Sequence, residues 1–532
     1  MAVVLALVAG LAGRAAPATA KTARTAVVVR STGGSQAAAA AVRQAGGAVT
    51  RSLGLVGGVA ATVPAGALAR LAAVPGVEVA PDERLRVQES TPASAGTSVY
   101  RDVVGASDLA AGGNRGDGVT VALVDTGVAP VADLAGRVVP VVDDVKRTTS
   151  PCLDLSGEGD CVDRYGHGTF TAGIIAGDGT ASAGRYTGVA PGARLVSVKV
   201  AGRDGSCDVS TVLAAIQWVV SFKDRYGIRV LNLSLGTDST QSYRSDPLDY
   251  AVERAWAAGI AVVVAASNRG PEQRTISKPG DDPFVITVGA VDDHGTVPRD
   301  DDRLPDFSSR GPTAADGLGK PDVAAPGAHL VSTSSPGSDI ATNFPSSAPA
   351  GYQIGSGTSM ATAVVSGVAA LLVKADPTVT PDRLKYALMS TARPGPVNDP
   401  LAVGSGVVDA RAALAAGPGL ANRNVARSNG MGSLDLSRGN LRVQTLDPAG
   451  MVVSGTQTAQ LVAWDPTGML GVWSPTTWYT SLPYLYGWRA VTWSGSKWQG
   501  SKWQGSKWQG GADPTSTYGS KWQGSDWYGA WQ

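Results

Sequence analysis

Five short apolar runs set the class of fold open to this chain: "VTVALVD" (119–125), "RLVSVKV" (194–200), "VLNLSL" (230–235), "IAVVVAAS" (260–267) and "FVITVGAV" (284–291). Each is nearly continuous rather than alternating. Strands buried on both faces of a parallel sheet have this pattern, whereas a strand with one wet face alternates. Helical patterns separate the runs, among them 211–223 and 247–258. Strand and helix in alternation predict an α/β domain built on a doubly wound parallel sheet. Such sheets bind ligands beyond the C-terminal ends of their strands. Asp125 stands at one such end.

Asp125-Thr126-Gly127 can serve two chemistries. Two paired acids can share a proton, or one acid can orient a histidine. A shared-proton pair needs a second triplet in the chain or a symmetric dimer that supplies it; the chain contains no other Asp-Thr-Gly and no Asp-Ser-Gly, and its buried parallel-strand pattern is wrong for the all-β fold of that class. The orienting role needs a base and a nucleophile. The chain has 3 histidines. His167 sits between glycines in "RYGHGTFTAGIIAG", just ahead of an apolar helix pattern, where its imidazole is expected to be exposed enough to exchange protons. His294 and His329 lack such a setting and are expected at the surface. Ser359 lies in "GSGTSMATAVVSGVAALLV", where Gly355 and Gly357 are expected to allow a tight turn into a long helix. The positive end of that helix would favour negative charge growing on a substrate oxygen.

These stretches carry a resemblance. "VALVDTGV", "GHGTFTAGIIAG" and "GTSMATAVVSGVAALL", in this order, resemble the three signature blocks of the subtilisin-like serine peptidases, the subtilases. "GVAPGARLVSVKV", "LNLSLG", "FSSRGPT" and "KPDVAAPG" resemble the family between those blocks. The likeness covers about 90–417, and 26–88 resembles the family's inhibitory propeptide. It implies a serine endopeptidase with a subtilisin-like fold. Ser359 would be the nucleophile, His167 the base and Asp125 the residue that orients it. The oxyanion donors would be Ser359 N–H and the amide of Asn268. Gly205, Ser206 and Cys207 would form one substrate edge, and Ser234, Leu235 and Gly236 the other. Leu235, Ala265 and Ala266 would line an apolar first specificity pocket, with Gly357 and Thr358 also against substrate. Three positions depart from the family: Ser267 where Gly is usual, Ala363 where Pro is frequent and Phe170 where His is frequent. No cofactor is implied, and no clear calcium loop is legible between Gly177 and Gly188.

The organisation follows. Residues 1–20 read as a secretory signal, with an apolar core from Ala2 to Ala12 and a small-residue cleavage pattern at Ala18-Thr19-Ala20, although a basic start is missing. Residues 21–92 are expected to be the propeptide. Their order β-α-β-β-α-β is the ferredoxin-like pattern, and cleavage is expected within 85–100. The catalytic domain is expected over 93–417. In 418–532, "SKWQG" repeats occupy 496–529, and 11 of the 13 Trp follow residue 460, since only Trp218 and Trp256 precede it. A five-residue period keeps neither a helix nor a strand face, so turns or flexible chain are expected. Regularly spaced Trp could stack on sugar rings of a cell wall. The alternative function is then an idle scaffold whose tail binds envelope polymers. Charge is nearly balanced, 45 basic against 44 acidic residues, which gives no hint of a nucleic-acid partner. No apolar run after the leader suggests a membrane span, and an exported monomer acting on proteins or peptides is expected. The 3 cysteines suit export and allow three pairings. Closing Cys152 to Cys161 would staple a short loop and leave Cys207 over.

Overall fold

The computed structural model describes residues 24–82, 84–87, 98–143 and 148–437, with 439, 444–446 and 452–454. The leader, most of the expected cleavage region and the Trp repeats lie outside the described residues.

The N-terminal unit runs β1 (Arg24–Ser31), α1 (Gly34–Gln44), β2 (Ala48–Leu53), β3 (Gly58–Pro64), α2 (Leu68–Ala72) and β4 (Val77–Pro81). Its four strands form an antiparallel sheet in the order β2-β3-β1-β4. The run "AVVVR" serves two cores at once, because alternate strand residues face opposite sides. Val27 and Val29 pack under the helices with Ala38, Val42 and Leu71. Val28, with Leu53, Leu55 and Val56, joins the core of the larger unit. Leu55 N–H also donates to Gln217 Oε1 at 2.7 Å.

A further strand, β5 (Arg84–Val87), leaves this unit and joins the larger one. The main sheet of that unit holds seven strands: β6 (Thr120–Asp125), β7 (Leu153–Asp154), β8 (Arg194–Lys199), β10 (Ile228–Leu233), β12 (Ala261–Ala265), β13 (Ile286–Val291) and β14 (Val323–Pro326), with β9 (Ser206–Asp208) and β11 (Leu235–Gly236) outside that sheet. The sheet is parallel, in the order β14-β13-β12-β10-β6-β8-β7. The strand order turns back at β6, so Asp125 sits at a topological switch point, where crevices form. Helices α3 (His167–Ala176), α4 (Val209–Tyr226), α5 (Pro247–Ala257) and α6 (Thr358–Ala375) cover the sheet, α3 packing on α6 and α4 on α5.

Two corrections concern strands. The run 230–235 is not one strand. It leaves the sheet after Leu233, and Leu235–Gly236 pair instead with β5. The run "VAAP" of β14 was too short to stand out, yet it is fully buried at the sheet edge. Helix α6 is long and apolar enough by length and composition to cross a membrane, but 89% of it is buried inside the protein. Its hydrophobicity is that of a core element.

Beyond the sheet the chain turns back across the molecule through α7 (Leu434–Ser437). Arg30 of β1 is buried and donates from Nε to Val56 O at 2.9 Å and from Nη1 to Gly430 O at 2.6 Å. Ser428 N–H donates to Glu253 Oε1 at 2.7 Å on α5, and Thr237 Oγ1 donates to Ser437 O at 2.5 Å. One segment thus touches the N-terminal unit, α5 and the residue after β11.

Candidate active site

Asp125 ends β6 and is buried. The turn after it needs glycine, since Gly127 has φ 115°. The helix that carries His167 starts hard against this turn: a Cβ on Gly168 would meet Gly127 O at 2.1 Å. The close approach puts His167 Nδ1 at 2.8 and 2.9 Å from the two oxygens of Asp125. A carboxylate only accepts, so Nδ1 carries the proton and Nε2 is the basic nitrogen. The sequence led us to expect a solvent-exposed imidazole. The residue is instead 0% exposed, at the start of a helix packed hard against the Asp125 turn. His294 is exposed, and His329 is half-buried, with its Nδ1 at 3.3 Å from Asp292 Oδ1.

Ser359 is the second residue of α6 and is fully buried. Its Oγ lies 3.4 Å from Ser234 O, and Ser234 Oγ lies 3.4 Å from Ser359 O. The nucleophile candidate therefore abuts one expected substrate edge. Neither glycine before it works by a left-handed turn. Gly357 is extended, at φ 161°, and Gly355 is pressed so closely on Phe170 that a Cβ would meet the ring at 2.9 Å. Phe170 and Ala363 are both core residues.

Asn268 is held from one side. Its Oδ1 accepts Thr358 N–H at 2.8 Å and Thr358 Oγ1 at 2.9 Å. A backbone N–H can only donate, so the amide orientation is fixed. Nδ2 is then left buried with no hydrogen-bond partner among the described residues. A donor of this kind, fixed beside Ser359, is what a developing oxyanion requires. The preceding Ser267 has φ 105°, and its N–H donates to Thr358 Oγ1 at 3.2 Å.

The two expected substrate edges are occupied by the protein's own chain. Strand β5 lies between them in an antiparallel sheet of order β9-β5-β11. Ser206, Cys207 and Asp208 stand opposite Arg86, Leu85 and Arg84. Leu235 and Gly236 stand opposite Val87 and Arg86. Gly205 turns the chain into β9 at φ 69°, over the ring of Tyr165. Leu235, Ala265 and Ala266 are all buried, and β11 packs beside β12.

Cys152 and Cys161 form a disulfide with Cα atoms 5.6 Å apart, and Cys207 lies outside it, buried in β9. The closed loop carries Glu158, which accepts Lys199 Nζ at 2.7 Å. Lys199 stands opposite Asp125 in the sheet register and is wholly buried. Neither it nor Asp163, four residues before His167, was singled out from the sequence; Lys199 meets Glu158, 41 residues away, and Asp163 meets Thr126, 37 residues away. Among the described residues, no group of three or more His, Cys, Asp or Glu side chains could hold a metal ion.

A model of the subtilase family matches residues 116–432. Serine protease AprX of Bacillus subtilis (strain 168) is 42% identical over 301 residues, which are 56% of this chain and 66% of that relative, just short of two thirds. Subtilisin DY of Bacillus licheniformis is 33% identical over 315 residues, 58% of this chain and 96% of the relative. Among solved structures, fervidolysin from Fervidobacterium pennivorans, described as a keratinolytic enzyme related to subtilisin, superposes with a TM-score of 0.58 at 25% identity. That match covers 77% of this chain and 63% of the other.

Proposed function

The chain belongs to the subtilase family of serine endopeptidases, and we propose that Asp125, His167 and Ser359 are its triad, with Asn268 and Ser359 N–H as oxyanion donors. Ser359 Oγ attacks the peptide carbonyl while His167 Nε2 takes its proton. The tetrahedral oxyanion is met by Asn268 Nδ2 and Ser359 N–H. His167 then protonates the leaving amine, and water resolves the acyl-enzyme by the same route. Asp125 holds the tautomer and stabilises the imidazolium. The observation that carries this reading is the Asp125–His167 contact at 2.8 Å. Its test is turnover of an unfolded protein substrate. Ser359→Ala should abolish it, and full turnover by that variant would remove the triad assignment. The idle-scaffold alternative finds no support in the relatives, which carry protease names.

Residues 21–92 act as an inhibitory propeptide. The placement of β5 between β9 and β11 supports this, because a substrate strand would pair with the same two edges. Cleavage after β5 gives the mature enzyme, and the Ser359→Ala variant should accumulate as precursor. The leader at 1–20 exports the chain. Residues 205–207, 234–236, 265–266 and 357–358 shape the cleft for protein or peptide substrates, without a required cofactor, in a monomer. The Trp repeats bind cell-envelope polymer. Equal retention on isolated cell walls with and without residues 494–532 would remove that role.

A further inference from the structure

We propose that Asp163 is a positioning residue that sets the Asp125–His167 geometry; the proposal rests on the triad reading above. Asp163 is 1% exposed. Its Oδ1 accepts Thr126 Oγ1 at 2.8 Å and Gly166 N–H at 2.7 Å. Its Oδ2 accepts Thr169 N–H at 2.8 Å and Thr169 Oγ1 at 2.5 Å. These donors come from both sides of the His–Asp pair. Thr126 follows Asp125 in the chain, Gly166 precedes His167, and Thr169 lies two residues after it.

The hydroxyls have no freedom of direction. Thr126 Oγ1 accepts Gly168 N–H at 2.9 Å, so its own proton points to Asp163. Thr169 Oγ1 accepts Ala129 N–H at 2.9 Å, so its proton does the same. Each of these links between the Asp125 turn and the start of α3 runs through Asp163 or a hydroxyl that Asp163 orients. A carboxylate is the one side chain of this size that accepts on both oxygens. Burial holds the Asp163 pKa above the usual carboxylate value, although the bonds from Thr169, Gly166 and Thr126 pull it down. A simple loop-stapling acid would need only Gly166 and Thr169. The bond to Thr126 extends the staple to the residue beside the triad acid.

Asp163→Asn keeps the shape and tests the role. The amide nitrogen must face either the Oδ1 donors or the Oδ2 donors, and both sets are donors, so two bonds are lost. The His–Asp pair loosens. We expect kcat to fall by about 10–100-fold, as small displacements of reacting groups do, with KM nearly unchanged. The acid limb of the kcat–pH profile should move to lower pH, because a loosened Asp125 stabilises the imidazolium less. Activity is referred to active sites titrated with a fluorophosphonate. Thr126→Val, which removes the bond to Asp163 and the acceptor of Gly168 N–H but leaves Asp163 three donors, should shift the limb in the same direction. It also carries the test if Asp163→Asn fails to fold. An unshifted acid limb and unchanged kcat in the folded variant overturn the proposal. Full turnover by Ser359→Ala would instead mark failure of the triad reading.

Discussion

Ser267 and Asn268 make one small unit, and the sequence disclosed only half of it. The letter Asn268 was readable from its block, but the clamp that makes it a donor was not. That clamp is Thr358, 90 residues on, which donates both of the hydrogen bonds accepted by Asn268 Oδ1. Removing the donor with Asn268→Ala should lower kcat by ~10²–10³-fold with little change in KM, measured on a peptide substrate. Ser267 holds φ 105°, a region that suits glycine. Such strain costs about 1–3 kcal/mol. The added chain entropy of glycine offsets roughly 0.5–1 kcal/mol of any relief. Ser267→Gly should therefore raise the melting temperature modestly. An unchanged or lower Tm would mean that contacts of the Ser267 side chain outweigh the strain. His167 is the complementary case. Its proposed role rests on its neighbours in sequence, but neither its burial nor the close approach of Gly168 to Gly127 had a sequence signal.

Among elements, the apolar strands were the most legible, because burial on both faces leaves a continuous run. The short strands were not, since β9, β11 and β14 draw their identity from partners rather than length. The pair β1–β4 adds a titrating feature of its own. Glu78 stands opposite Arg30 in the register and is 2% exposed. Neither of its carboxylate oxygens has a hydrogen-bond partner among the described residues. Burial lifts its pKa from 4.5 to about 8, against the pull of Arg30. The folded unit therefore binds a proton that the unfolded chain releases at lower pH. Its contribution to stability is full below pH 4.5, falls as pH rises, and is lost by about pH 8. The Ser359→Ala precursor should melt at lower temperature at pH 8 than at pH 5, and Glu78→Gln should remove much of that difference. Equal pH dependence with and without Glu78 would show that the carboxyl is already solvated.

At the scale of the whole molecule, three stretches far apart in sequence meet on one side. β5 fills the cleft edges, Arg30 docks on Gly430, and Thr237 beside the cleft holds Ser437. The subtilase domain was legible from its motifs, yet this closure was not. The segment near 430 carries neither an apolar run nor a signature block, and Arg30 looks like an ordinary strand-end charge. On the zymogen reading, the segment after residue 427 should slow release of the cleaved N-terminal unit. Truncation there, or Arg30→Met, should shorten the lag before activity appears, and an unaltered lag would remove this role. The central claim is that one serine, activated by His167 and Asp125, does the chemistry. Fluorophosphonate labelling of the processed protein, with the modified peptide identified by mass spectrometry, tests it most directly. A single label on Ser359, lost in His167→Ala, is the predicted result; no label, or a label on another residue, would contradict it.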